Sequence, residues 1–162
     1  MSSQVIIHHS AIDHDWLIQG AIDSFKNTLL PDQMAMFDER SLYEFVERQM
    51  EEVRKKVGGR GCEIIATDPQ GQRIGFSWVV TLTSEMTGEE EGFVLLLYVN
   101  PEHRNKGAGK ALLRASEDWV KGIGLRHIAL SVGVRNENAL ALYHQQGFQD
   151  TTIRMLKNIE LL

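Results

Sequence analysis

The chain has 162 residues, 43% of them hydrophobic and 24% charged, with a formal net charge of −5. That length suits one domain with its own core, and the acid excess excludes an extended nucleic-acid surface, whose affinity rests on lysine and arginine. No stretch nears the roughly 20 unbroken apolar residues of a membrane helix, and the single Cys62 excludes an internal disulfide and any multi-cysteine metal site.

The opening "MSSQVIIHHS" lacks a basic region followed by an apolar block, so no secretory signal is expected and the cytoplasm is the expected compartment. "QVIIHH" reads as a short strand, and "DHDWLIQGAIDSFKN" as a helix with Trp16, Leu17, Ala21, Ile22 and Phe25 on one stripe, ending before Pro31. In "DERSLYEFVERQMEEVRKKVGG" the residues Leu42, Phe45, Val46, Met50, Val53 and Val57 recur at helical spacing. Ser41 and Glu44 suggest a capping box, glycines close the helix, and Arg54, Lys55 and Lys56 oppose its C-terminal dipole. "CEIIATD", the turn "PQGQ" and "RIGFSWVVT" form a hairpin pattern, with Cys62 a small half-buried hydrophobe at its start. "SEMTGEEEG" reads as an acidic loop.

"FVLLLYVN" is apolar almost throughout, which suits a central strand covered on both faces. A helix from Gly109 to Ile123 follows, with Leu112, Ala115, Trp119, Val120 and Ile123 on one side. "HIALSV" is then a strand, parallel to the central one by the crossover rule, "NENALALYHQQGF" a helix stopped by Gly147, and "DTTIRMLK" a final alternating strand. The whole reads as one mixed α/β domain over residues 1–162.

Between the central strand and its helix lies "RNKGAGK", residues 104–110. It is not a Walker A loop, because Arg104 stands where the first glycine belongs and Ala111 where the magnesium-binding hydroxyl belongs. Nor is it a dinucleotide fingerprint, since Leu112 replaces the third glycine and the connection from the strand is too long. What remains is a glycine-bearing helix start, where free N–H groups and the helix dipole favour an anion and Arg104, Lys106 and Lys110 add charge.

"VNPEHRNKGAGKALL" resembles the acyl-CoA motif of the GNAT superfamily of N-acyltransferases, V-x-P-x-x-[RQ]-x-x-G-x-[GA] after a buried strand. "NENALALYHQQGF" is similar to that family's second motif, through Asn136, Ala139, Leu142, Tyr143, Gly147 and Phe148. The resemblance runs from about Cys62 to Phe148. It implies a central, mostly antiparallel sheet splayed between two parallel strands and flanked by helices, with acetyl-CoA as co-substrate and no metal. Main chain of Arg104, Asn105, Lys106, Gly107, Ala108, Gly109 and Lys110 would then cradle the pyrophosphate, and Leu97, Tyr98 and Val99 would bond the pantetheine arm. Asn136 would contact the cofactor from across the splay. Tyr143 would bind it too and protonate the departing thiolate, and the Val99 N–H would hold the thioester oxygen.

The implied activity is acetyl transfer to a primary amine of a small molecule, a peptide N-terminus or a lysine; the alternative is a non-catalytic acyl-CoA sensor of the same fold. Many relatives carry a glutamate inside the central strand, where this chain has Val94, Leu95 and Leu96. Glu89, Glu90 and Glu91 lie just upstream, and Glu91 is the expected base. An α-amine with a pKa of roughly 8 is neutral about a tenth of the time at pH 7 and so needs little help. The acidic loop, Glu85 included, would attract a cationic acceptor. The family is often dimeric, which makes a homodimer an expectation. His8, His9 and His14 lack metal-ligand spacing.

Overall fold

The computed structural model describes residues 4–161. Its elements in chain order are β1 (Ile6–His9), α1 (His14–Thr28), α2 (Pro31–Met34), α3 (Glu39–Val57), β2 (Gly61–Thr67), β3 (Arg73–Thr83), β4 (Glu90–Val99), a 3₁₀ turn (Pro101–His103), α4 (Ala108–Gly122), β5 (Ile128–Leu130) and α5 (Glu137–Gln145). The strands lie in one sheet in the order β1-β2-β3-β4-β5. Every pairing is antiparallel except β4 with β5, which is parallel.

Alternation on β2, β3 and β4 sends apolar side chains to both faces, and each face carries its own core. On one, Leu17, Ile18, Ala21, Leu42 and Val46 of α1 and α3 pack on Ile65, Phe76, Trp78, Leu96 and Tyr98. On the other, Leu112, Leu113 and Val120 of α4 pack on Ile64, Val79 and Val94. β4 is less evenly covered than its composition predicts: Gly92, Val94, Leu96 and Tyr98 are buried, while the residues between them are half-buried.

Four sequence expectations need correction. The cap of α3 is Asp38, whose carboxylate accepts from the Ser41 N–H at 2.7 Å while Ser41 Oγ accepts from the Asp38 N–H at 2.9 Å. Glu44 instead pairs with Arg40 one turn away. The acidic loop ends earlier than its composition suggests, because Glu90 and Glu91 already pair with Thr83 and Leu82 as the start of β4. Ile123 leaves the α4 core and is 46% exposed, whereas Ser116 is fully buried.

"DTTIRMLK" forms no strand: residues 150–161 have no regular structure, and Ile153, Met155, Leu156 and Ile159 are exposed. β5 leaves its outer edge open and residues 151–154 line a cavity beside it, but no ladder forms between them; alternation alone does not make a strand without that pairing.

Candidate active site

The site begins with one extra residue. Val79 faces Val94 and Trp78 faces Leu96 across the β3–β4 ladder, so Leu95 is a β-bulge in the middle of β4. Before it, the Gly92 N–H points to β5 and bonds the His127 carbonyl at 2.9 Å; beyond it, the Asn100 N–H points the other way and bonds Ile74 of β3 at 2.8 Å. The bulge has switched the alternation. Counting back from Asn100, the main-chain groups of Tyr98 face β3, and those of Leu97 and Val99 face the β5 side.

On that side β5 is missing. Its pairing with β4 covers only Gly92–Val94 against Ile128–Leu130. The chain then leaves the sheet for the end of α1, where Gly133 approaches so closely that a Cβ would lie 3.0 Å from the Asn27 carbonyl oxygen. Arg135 donates from the same loop to the Leu29 carbonyl. A gap therefore opens between β4 and β5, with Leu97 and Val99 offering backbone groups to it. The Val99 carbonyl is already occupied, accepting from Arg104 Nε at 2.9 Å.

At the end of the gap stands the glycine loop. Asn105 and Gly107 both have left-handed backbone, with φ of 61° and 90°. Such reversals turn successive N–H groups toward one concave side. The N–H groups of residues 105–110 have no acceptor among the described residues, since the bonds of this segment begin with Ala111 N–H to Gly107. A run of free amides at the start of a helix of 15 residues is an anion cradle. The two glycines differ: space around a Cβ at Gly107 is open, whereas one at Gly109 would meet Leu142 of α5 at 3.1 Å. Lys106 and Lys110 extend to a cavity of about 780 Å³ that also touches Val5, Ile7 and Arg114.

α5 follows β5 and reaches the glycine loop through Leu142. Asn136 caps it, its side chain accepting from the Ala139 N–H at 3.3 Å. That bond engages Oδ1 and leaves the amide nitrogen available. Two turns on, Tyr143 packs edge-on against Phe148 with centroids 5.9 Å apart, and burial pushes its phenol up to about 12. It lines a cavity of about 650 Å³ beside β5. No side chain or carbonyl among the described residues bonds its hydroxyl, which leaves that proton for a ligand.

The structure joins the loop 104–110 to β4 through Arg104 and the Val99 carbonyl and to α5 through Gly109 and Leu142; Leu97, Val99 and Tyr143 pack on the same core, while Lys106 and Gly107 line one cavity and Tyr143 another. Glu91 lies at the other end of β4 from Val99. Glu91 precedes Val99 by eight residues on one strand, roughly 25 Å at 3.3 Å per residue. Tyr98, expected with Leu97 and Val99, turns its buried ring to the α1 side and its main chain to β3. Among the described residues no group of histidines, cysteines or carboxylates could hold a metal ion, and no helix is long and apolar enough to cross a membrane.

Residues 23–148 match the sequence model of the acetyltransferase (GNAT) family. The chain is 29% identical over 93 residues to the uncharacterized N-acetyltransferase YdgE of Bacillus subtilis, across 57% of this chain and 58% of that protein. It is 31% identical over 94 residues to the aminoglycoside N(6')-acetyltransferase type 1 of Stenotrophomonas maltophilia, across 56% of this chain and 61% of the other. The match therefore spans less than two thirds of either relative's length. A solved structure from Pyrococcus furiosus, provisionally named an acetyl transferase, overlays 96% of the chain and all of its own with a TM-score of 0.81 at 20% identity. At that identity the likeness is one of fold.

Proposed function

The chain belongs to the acetyltransferase (GNAT) family, and from that membership we propose that it transfers the acetyl group of acetyl-CoA directly to the primary amine of a small molecule or peptide. The observation that carries the reading is the run of unpaired N–H groups at residues 105–110, set at the end of the β4–β5 gap. A diphosphate fits the first feature and an extended amide-bearing arm the second. Acetyl-CoA supplies the activated acetyl group.

Each residue then has a task. The amides of residues 105–110 bind the pyrophosphate, with Lys106 and Lys110 adding charge. The Leu97 and Val99 edge bonds the arm as a neighbouring strand would, so apolar side chains suffice there. The Val99 N–H, with Leu97 facing the same gap, donates to the thioester oxygen as negative charge grows on it. Asn136 bonds the cofactor from α5 through its free amide. As the amine nitrogen forms its bond to the acyl carbon and the carbon–sulfur bond breaks, Tyr143 gives its proton to the sulfur and takes one back from water, which receives the proton the amine nitrogen loses. With a pKa of about 12 the phenol is protonated at every working pH.

No carboxylate stands at the central-strand positions Val94, Leu95 and Leu96, and the reading assigns no protein group to take the proton from the amine. The acceptor that suits it enters already neutral, as an α-amine does in part at pH 7, and loses its extra proton to water. Glu91 belongs instead to the acidic rim at the far end of β4, where it draws a cationic acceptor. The reading includes a cytoplasmic setting, which the free Cys62 suits, and a single catalytic domain able to pair as a homodimer.

The deciding assay is thiol release from acetyl-CoA across polyamines, amino acids, aminoglycosides and peptides with free N-termini. Release with one class confirms transfer and names the acceptor. Tight acetyl-CoA binding with no release from any would favour the sensor reading, to which the absence of a glutamate at Val94, Leu95 and Leu96 lends its one support.

A further inference from the structure

Three polar side chains on one stripe of α1 reach the end of β4 and the start of the glycine loop. Trp16 Nε1 donates to Asn100 Oδ1 at 3.0 Å, Gln19 Nε2 donates to the Tyr98 hydroxyl at 3.2 Å, and Asp23 Oδ2 accepts from Arg104 Nη2 at 3.4 Å. Positions 16, 19 and 23 share a helix face. Between them Gly20 lets α1 lie against the sheet, for a Cβ there would come 2.5 Å from Phe76 and 3.0 Å from Tyr98. Asn100 passes the contact on by donating to the Arg73 carbonyl at 3.1 Å, and the Arg73 guanidinium stacks 4.8 Å from the Trp16 ring.

Arg104 is the joint. Besides Asp23 it bonds the Val99 carbonyl, and its guanidinium lies 5.8 Å from the Tyr98 ring. Its side chain is therefore taken up between α1 and β4, beneath the loop whose amides follow it. From Ala108 onward the loop is held by α4, whose first bond runs from the Ala111 N–H to the Gly107 carbonyl; residues 105–107, two of them left-handed, have no amide bond of their own, so their path depends on how Arg104 is anchored at the other end.

We propose that Gln19 and Asp23 are positioning residues that act through Tyr98 and Arg104: α1 clamps the end of β4 and fixes the loop in the shape that receives the pyrophosphate. The inference rests on the loop's assignment to coenzyme A. It makes helix α1, far from the cofactor in sequence, a determinant of cofactor affinity. The ion pair at its centre is about 40% exposed on both sides, and exposed pairs contribute a few-fold at most. The expected effects are accordingly modest and screened by salt.

The test is calorimetric titration of coenzyme A into the wild type, Asp23→Ala, Asp23→Glu, Arg104→Ala, Gln19→Ala and the Asp23/Arg104 double variant, at about 50 mM and 500 mM salt. Asp23→Ala weakens binding about 2- to 5-fold at low salt, the loss shrinks at high salt, and Asp23→Glu recovers most of it. The double variant binds no more weakly than Arg104→Ala alone. In turnover the loss falls on the KM for acetyl-CoA while kcat stays within about 2-fold. Gln19→Ala, which removes an uncharged contact, weakens binding equally at both salts. Wild-type affinity in Asp23→Ala and Gln19→Ala, or additive losses in the double variant, overturns the clamp alone. No binding of coenzyme A by the wild type overturns the loop assignment and the clamp with it.

Discussion

Gly109, the second residue of α4, faces Leu142 of α5 so closely that a Cβ at Gly109 would sit 3.1 Å from Leu142 Cδ2. The second glycine of the loop thus seats the helix that carries Asn136 and Tyr143. Gly107, two residues earlier, meets nothing and instead provides a left-handed turn. Gly107→Ala should cost about 1–2 kcal/mol from backbone strain and weaken coenzyme A binding at least tenfold; Gly107→Leu should abolish it. Gly109→Ala should stay within about 1 kcal/mol of wild type, since Leu142 can swing its end aside and alanine favours the helix. Thermal-shift titration with acetyl-CoA separates the two. Normal stabilisation of Gly107→Leu would remove the loop from the cofactor site.

Tyr143→Phe removes one hydroxyl from a ring that keeps its packing on Phe148. Turnover should fall about 10²-fold or more, the usual contribution of a positioned acid, with acetyl-CoA affinity changed less than about 3-fold. The pH dependence has a definite sign. Burial raises the folded-state pKa from near 10 to about 12, so the folded state holds the proton more tightly than the unfolded chain. The associated stability is complete below pH 10 and is lost as pH climbs toward 12, about 2–3 kcal/mol for two units. Urea unfolding at pH 9 and pH 11 should show a steeper decline in wild type than in Tyr143→Phe. Equal declines would place the tyrosine in an ordinary aqueous setting.

Much of this fold can be read from local pattern. Helical spacing marks α1, α3, α4 and α5 correctly, and the anion cradle is legible because its amides come from consecutive residues. The bulge at Leu95 is hidden for the opposite reason: in "FVLLLYV" both faces are apolar, so no alternation breaks where the register shifts. Glu91 is close to Val99 in sequence, but an extended strand turns eight residues into length without folding back. The clamp on α1 was visible only as Trp16, Gln19 and Asp23 at helical spacing, since their partners Asn100, Tyr98 and Arg104 lie some 80 residues on. "DTTIRMLK" failed as a strand because pairing needs a partner, which its own composition cannot report.

Ser77 of β3 and Ser116 of α4 meet in the second core, both fully buried, with their oxygens 2.8 Å apart. Ser116 Oγ donates to the Leu112 carbonyl at 2.9 Å, so the proton between the serines is that of Ser77. This bond fixes the rotation of α4 on the sheet. Ser116→Ala leaves the Ser77 hydroxyl buried without a partner and should cost about 1–3 kcal/mol; Ser77→Ala leaves Ser116 its Leu112 bond and should cost less, about 0.5–1.5 kcal/mol. The double alanine variant should lose less than the two single losses added, because its remaining hydroxyls are gone together. Urea midpoints for the four proteins measure this, and strict additivity would mean the serines do not share a bond.

The last expectation concerns the proton that leaves the amine. If Glu91 took it, Glu91→Gln would lose the 10²- to 10⁴-fold that a general base supplies, and the acid limb of the rate profile would vanish with it. At roughly 25 Å from Val99 along the strand, Glu91 is out of reach. With an α-amine acceptor, kcat/KM should instead rise tenfold per pH unit and level near pH 8, where the amine itself becomes neutral. Glu91→Gln should keep that profile, keep kcat within about 3-fold, and raise the KM of a cationic acceptor a few-fold at low salt only. Replacing the acceptor by one of lower pKa should move the plateau down by the same amount. A plateau that stays put when the amine changes would show that a group on the protein, and not the acceptor, carries the titration.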